Sequence, residues 1–321
     1  MICRVTGVNM KNNPVKSLVV GYGSIGRRHE EVLRKMGAET AVISRHAKDI
    51  CGPCYSTLQD GMSRFNPRYV VVANRTSEHL ETLNELERLG FNGTCLVEKP
   101  LADVVPSIFS HSFTIGVGYV LRFHPLIQKA KELLAGKRLL SVDAYAGQYL
   151  PDWRPGTDYR QCYSAIREQG GGVLRDLSHE LDYIALLAGV WRRVSALGGH
   201  LSELEIDTED VCGLLMEMQH CPAVLCQINY LDRNIRRDCT IQYEGGTLHF
   251  DLIANRLVHN GVVQNVELER NDLFEAMHTA ALTPGAPNLC SFAEAVQTME
   301  LIQAAEKAME KGCWVCRTEN R

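Results

Sequence analysis

The sequence predicts an α/β protein in two parts. The first is a doubly wound parallel sheet; the second is an α/β domain on a large, mostly antiparallel open sheet. Three observations predict it. Short apolar runs alternate with helical stretches through the first third of the chain. A glycine-rich turn, Gly21-Tyr22-Gly23-Ser24-Ile25-Gly26, sits between the first run and the first helix. From Arg193 to about Val266 the text is mostly strand-like.

The elements follow in order. Leu18-Val19-Val20 is a strand, and Glu30 to Met36 is a helix closed by Gly37. Ala41 to Ile43 is the second strand. Tyr69 to Ala73 is the next, with no polar alternation, as expected of a strand covered on both faces. Ser77 to Leu89 is helical and stops at Gly90; Thr94 to Val97 and Phe113 to Tyr119 complete the sheet. The pattern changes near Arg122, so the domains are placed at 1–121 and 122–321. In the second part, Leu126 to Leu134 is a helix and Leu140 to Tyr149 a strand. A glycine triplet then opens a helix over Leu177 to Leu187. Val211 to Met218, Ala223 to Tyr230 and Cys239 to Leu252 are strands, the last folded back at Glu244-Gly245-Gly246-Thr247. Helices return at Asp272 to Ala281 and Phe292 to Lys311.

Composition narrows the function classes. The 321 residues carry 34 Lys and Arg against 38 Asp and Glu, a formal net charge of −4. That balance argues against a nucleic-acid backbone binder. The apolar run Tyr183 to Trp191 falls far short of the roughly 18 residues a membrane helix needs. The segment Met1 to Asn13 does not read as a secretion signal, and the 12 cysteines show no framework spacing. The expectation is a cytoplasmic protein with reduced thiols.

The glycine turn has the GxGxxG spacing that binds dinucleotides. Gly21 permits the tight turn and Gly23 lets backbone approach a pyrophosphate; Gly26 lets the helix pack on the strand. Ser24 and Ile25 complete the helix start, whose N–H groups favour an anion. About 20 residues on, an NAD site usually has an acidic residue. This chain has Ser44-Arg45. Serine can donate to a 2′-phosphate and arginine can pair with it, so NADP is expected, with NAD possible. Glu39 precedes the strand and Asp49 follows it too late to replace the acid.

Further motifs accompany the turn. Asn74-Arg75-Thr76-Ser77-Glu78-His79 leaves the strand at Tyr69 to Ala73. Glu98-Lys99-Pro100 ends the next strand, and Gly118-Tyr119-Val120-Leu121-Arg122-Phe123 ends the following one. Gly170-Gly171-Gly172-Val173-Leu174-Arg175-Asp176-Leu177-Ser178-His179 opens a helix of the second part. Together with Gly21 to His29, these segments resemble the Gfo/Idh/MocA family, named for glucose–fructose oxidoreductase, inositol dehydrogenase and a rhizopine-catabolism protein. The resemblance runs from about Leu18 to Val315.

It implies a Rossmann domain followed by an α/β domain whose open sheet faces a partner subunit. It also implies hydride transfer between a nicotinamide cofactor and a sugar, cyclitol or related carbonyl compound. The family's lysine falls on Lys99, and its cofactor-lining turn on Asn74, Thr76 and His79; Glu98 and Arg122 join the expected cofactor contacts. Its aspartate and histidine fall on Asp176 and His179, spaced by three residues where many members have four. Val120 stands where the family usually has Asn.

The residues themselves support such roles. A lysine at the carboxyl end of a parallel strand can hold a substrate oxygen. His179 titrates near operating pH, which suits a general acid or base. Asp176 has two readings: a substrate or catalytic carboxylate, or the N-cap of the helix starting at Leu177. Trp153, Arg154, Tyr159 and Arg160 pair aromatic with cationic groups, a composition suited to sugar rings and anionic substituents. Cys51-Gly52-Pro53-Cys54 and Cys313-Trp314-Val315-Cys316 are CxxC pairs, but neither has thioredoxin or zinc context, and no metal site is expected. His111, His124, His220 and His249 read as structural.

The expected activity is that of an NADP-dependent sugar or polyol oxidoreductase, working as a homodimer or homotetramer. The alternatives are a non-catalytic NADP-binding regulator and a cofactor-assisted glycoside-cleaving enzyme on the same fold. The pairing of Lys99 with His179 favours an enzyme over a sensor.

Overall fold

The computed structural model describes residues 14–45, 50–106 and 110–318. Met1 to Asn13 and Asp49 lie outside the described residues. In chain order the elements begin with β1 (Lys16–Val20), α1 (Ser24–Lys35), β2 (Glu39–Ile43), β3 (Cys54–Tyr55) and α2 (Leu58–Phe65). Next come β4 (Tyr69–Val72), α3 (His79–Arg88), β5 (Thr94–Val97) and β6 (Thr114–Val117). They continue with α4 (Pro125–Leu134), β7 (Leu139–Gly147), α5 (Val173–Asp176), α6 (Ser178–Ala188), β8 (Trp191–Gly199) and β9 (Val211–Met218). Then follow β10 (Ala223–Asn229), β11 (Arg236–Tyr243), β12 (Gly246–Asp251), β13 (Arg256–His259) and β14 (Val262–Asn265). The chain closes with α7 (Asp272–Ala281), β15 (Cys290–Ser291), α8 (Phe292–Lys311) and β16 (Val315–Cys316).

The chain divides into two compact units. The first holds residues up to Phe123 and Glu269–Val296; the second holds His124–Leu268 and Gln297–Arg321. The return of 269–296 to the first unit is a discontinuity that a single boundary at 121/122 does not describe.

In the first unit the strands run in the order β15-β6-β5-β4-β1-β2-β3. All neighbours are parallel except the β15–β6 pair. This is a doubly wound sheet whose order reverses between β1 and β4. Side chains alternate across it. Val19, Tyr69, Val71 and Leu96 join Val32 and Leu33 of α1 and Phe274 and Met277 of α7 in one core. The other face meets α2, where Gly61 lies so close that a Cβ would sit 2.6 Å from Ile43 Cδ1. Neither β3 nor α2 is announced by the sequence pattern. Helix α2 starts on Thr57, whose hydroxyl accepts from Asp60 N–H at 3.1 Å.

The second unit is a nine-stranded sheet in the order β14-β13-β12-β11-β7-β10-β9-β8-β16. Its pairs are antiparallel except β7–β10. Cys212, Leu214, Met216, Val224, Cys226 and Ile228 form its inner face, and all are buried. Helices α5 and α6 pack on this side, and Cys212 Sγ lies 3.7 Å from Met309 Sδ of α8. The chain's own helices cover this apolar face. The opposite face exposes Leu197 at 80%, Leu215 at 44% and Leu225 at 49%, the last two paired across β9 and β10.

The helix predicted over Leu177 to Leu187 is interrupted. Leu177, with φ −98° and ψ 26°, separates α5 from α6. Asp176 therefore ends α5, the N-cap position of α6 falls to Leu177, and Asp176 shares no continuous helix with His179. No helix among the described residues is long and apolar enough to cross a membrane.

Candidate active site

In the first unit the glycine turn lies at the carboxyl end of β1, beside the turn that follows β4. Gly21 has φ +92°, and a Cβ there would sit 2.6 Å from Asn74 N and from Ala73 O. Only glycine meets both demands. A Cβ on Gly26 would lie 2.1 Å from Gly21 O, so α1 is drawn tightly onto its own turn. Gly23 is the opposite case. It is exposed, with nothing within 4 Å of its Cβ position. It also precedes α1 as N-cap with no side-chain cap, and the first turn of α1 carries no acidic residue. Bare N–H groups facing open space at a helix N-terminus suit a pyrophosphate. The residues present fit the dinucleotide that the turn implies.

The flanking residues cluster around the same strand ends. Ser44 and Arg45 follow β2, with Ser44 N–H donating to Tyr55 O at 3.0 Å and Arg45 exposed. Asn74 donates to Thr82 Oγ1 at 3.0 Å, which fixes its amide at the start of the turn. Thr76 is buried at the head of that turn. His79 is 1% exposed and its Nδ1 donates to Pro100 O at 3.2 Å. Burial holds its pKa below the usual imidazole value. His79 thus ties the Asn74 turn to the Lys99-Pro100 turn, whose peptide bond is cis, instead of offering surface to a ligand.

Glu98 and Lys99 end β5. Lys99 is half-buried, and its N–H donates to Glu98 Oε2 at 3.1 Å. Glu98 Oε1 accepts from buried His29 Nε2 at 2.8 Å. Burial pushes the Glu98 carboxyl up, but the His29 hydrogen bond and the His29 and Lys99 charges bring it below the usual range. Arg122 is 3% exposed and pairs with Glu294 Oε1 at 2.8 Å. Glu294 belongs to a capping box with Ser291 at the start of α8. That pair anchors the segment after β6, a structural duty beside the cofactor role expected of Arg122.

In the second unit, Asp176 is 4% exposed and accepts from Tyr230 OH at 2.7 Å. His179 sits half-buried in the first turn of α6. Trp153, Arg154 and Tyr159 line one shallow pocket with Leu150, Cys162 and Ser164. The Trp153 ring meets Tyr230 edge-on, centroids 5.2 Å apart, and Arg154 lies over the Tyr163 ring. Tyr230 therefore touches both Asp176 and Trp153. Arg160 does not line the pocket. It is exposed and bonded to Asp158 at 2.8 Å and to Glu205 at 3.1 Å, which push its pKa up.

Sequence reasoning missed Tyr230, Ser164 and the buried partners of Glu98. No local signal marks them, since each partner is remote in sequence. The CGPC and CWVC thiols are exposed, no cysteine among the described residues is in a disulfide, and no metal-holding cluster occurs among those residues. His124 caps α4 through Leu126 N–H at 3.2 Å, and burial lowers its pKa to about 4.

No family model and no curated protein matches the chain. Solved structures do. GenD2 from gentamicin A biosynthesis, solved with NAD, is 22% identical with TM-score 0.78, over 95% of this chain and 97% of that one. The WlbA dehydrogenase from Bordetella pertussis, solved with NADH and UDP-GlcNAcA, is 18% identical with TM-score 0.80, over 96% and 100%. Levoglucosan dehydrogenase with NADH and levoglucosan is 15% identical with TM-score 0.82, over 96% and 100%. At these identities the likeness establishes the fold.

Proposed function

We propose that the protein is an NADP-dependent oxidoreductase that moves a hydride between the nicotinamide and a sugar, sugar derivative or polyol. The observation that carries this reading is the turn of Gly21, Gly23 and Gly26 at the reversal of the strand order. It faces an uncapped α1 N-terminus, with Lys99 at the end of β5 in the same sheet. The similar structures were solved with NAD or NADH, two of them with a sugar or nucleotide sugar, which supports the class. The NADP reading rests on Ser44 and Arg45.

The cofactor, when bound, supplies the hydride donor or acceptor. The chain's own residues do the rest. Backbone N–H groups at Gly23 to Gly26 bind the pyrophosphate, and Ser44 and Arg45 bind the 2′-phosphate. Lys99 donates to the substrate oxygen and stabilises charge developing on it. His179 takes the hydroxyl proton on oxidation and returns it on reduction. Asp176, oriented by Tyr230, accepts from a neighbouring hydroxyl. Trp153, Arg154 and Tyr159 shape the sugar subsite. Assembly as a homodimer or homotetramer uses the sheet face bearing Leu197, Leu215 and Leu225.

The test is nicotinamide absorbance with a panel of neutral sugars, sugar acids, nucleotide sugars and cyclitols. Turnover with at least one, lost in Lys99→Ala, supports the reading. Tight cofactor binding without turnover across the panel points instead to a regulator. Sugar release from glycosides without net cofactor change points to glycoside cleavage.

A further inference from the structure

Glu98 is the near end of a buried chain of polar groups that the reaction does not itself use. His29 Nε2 lies 2.8 Å from Glu98 Oε1, and His29 Nδ1 lies 3.0 Å from His278 Nε2. His278 Nδ1 lies 2.8 Å from Tyr69 OH. Tyr69, His29 and His278 are each 0% exposed, so no water competes for these bonds. The four side chains come from β4, α7, α1 and the end of β5, all within the first unit.

Donor and acceptor accounting fixes the direction. An ionised Glu98 can only accept, so His29 must carry its proton on Nε2. In a neutral His29 the other nitrogen, Nδ1, is then an acceptor, and His278 must donate from Nε2. His278 Nδ1 is left as an acceptor, and Tyr69 OH donates to it. Every polar atom along the line is satisfied by one arrangement of protons. A doubly protonated His29 is accommodated by reversing the two remote bonds, with its Nε2–H still on Glu98. The bond on one ring nitrogen selects which tautomer faces the other partner.

We propose that Tyr69 and His278 are positioning residues that keep His29 Nδ1 an acceptor and so reinforce the Nε2–H that donates to Glu98, which in turn holds the backbone and charge of Lys99. Glu98 passes the constraint on directly, through its bond from Lys99 N–H at 3.1 Å. Other titratable or charged groups also face Glu98: Arg28 on α1, His79 on α3 and Tyr69 on β4. None of them is in hydrogen-bond contact with its carboxylate in the way His29 is. Burial raises the carboxyl pKa, and the His29 bond is the first influence that lowers it. Loss of the donating tautomer leaves only Lys99, through its charge and its N–H, to oppose that burial. Glu98 would then take a proton at higher pH, and Lys99 would lose its neighbouring negative charge.

The role of Lys99 rests on the proposed function; the wiring does not. The test uses His278→Leu, His278→Gln and Tyr69→Phe in the full chain. Histidine-selective 15N spectra read the His29 tautomer without substrate. The pH profile of kcat is then taken with whichever sugar turns over. The expected result is an Nε2–H on His29 in the parent. In His278→Leu the Nδ1 acceptor loses its donor, so the Nε2–H form is lost at a higher pH, as Glu98 takes its proton, and the acid limb of kcat moves up by about one pH unit, a roughly tenfold loss at a pH on that limb. The amide in His278→Gln restores both readouts. Tyr69→Phe, which removes only a hydroxyl, shifts them in the same direction by less. A parent-like tautomer and acid limb in His278→Leu overturn the relay. The expected tautomer changes without turnover by any sugar would overturn the proposed function and leave the relay standing.

Discussion

The two units build their candidate binding surfaces from different material. In the first unit the surface is backbone: N–H groups at the start of α1, made accessible because Gly21, Gly23 and Gly26 carry no side chains. In the second it is side chain: Asp176 held by Tyr230, Trp153 against the same tyrosine, and Tyr159 in the shared pocket. A backbone surface tolerates loss of neighbouring side chains and fails when a methyl is added. A side-chain surface fails by truncation. Under the proposed function, the difference separates positions expected to set cofactor binding from positions expected to set chemistry.

The largest effect expected comes from adding atoms to the backbone surface. Gly26→Val places a Cβ 2.1 Å from Gly21 O, where only backbone can give way. It should cost on the order of 3 kcal/mol or more and abolish dinucleotide binding, read by thermal melting and titration. Gly23→Ala is the control, with nothing within 4 Å. It should melt like the parent and bind dinucleotide more weakly. Equal behaviour of the two variants would break the distinction drawn between these glycines.

Truncation on the chemical side comes next. His179→Asn and Lys99→Ala should each lower kcat by about 10²–10⁴-fold while dinucleotide affinity holds. Near-parent turnover in His179→Asn would move the proton-exchanging role to another residue.

A pH effect on the second unit follows from His124. Its folded pKa of about 4 lies below the ordinary imidazole value of 6.5, because burial disfavours the charged ring. The unfolded chain therefore binds the proton first as pH falls. Stability from this group is present above about 6.5 and is lost between there and about 4, amounting to roughly 2–3 kcal/mol. Urea unfolding across that window should show the parent losing stability as pH falls and His124→Gln losing less.

The smallest effect is cofactor choice. Arg45→Ala should erase most of a preference for NADP worth about ten- to a hundredfold, with NAD binding nearly unchanged. An unaltered ratio would take the 2′-phosphate away from Arg45.

Much of the first unit was legible because its constraints are local. A glycine at φ +92° and a glycine against its own turn leave a local signature. The strand β4 declared its double burial by its unbroken apolar run. Helix α2 was missed because Gly61, needed for close approach to Ile43 and Leu18, reads as a helix breaker. The chain from Tyr69 to Glu98 was not legible, since His29 and His278 stand 249 residues apart. In the second unit, the alternating apolar residues of β9 and β10 were visible, but which face meets the helices was not. The break at Leu177 was equally hidden, because Val173 to Ala188 contains no glycine or proline to announce it.

The central claim is that the uncapped α1 N-terminus and its glycine turn hold a nicotinamide dinucleotide. Calorimetric titration of the purified chain with NADPH and NADH tests it most directly. The proposed function predicts saturable binding of one dinucleotide per chain, tighter for NADPH and weakened in Gly23→Ala. Absence of saturable binding for either dinucleotide by a folded protein would contradict it.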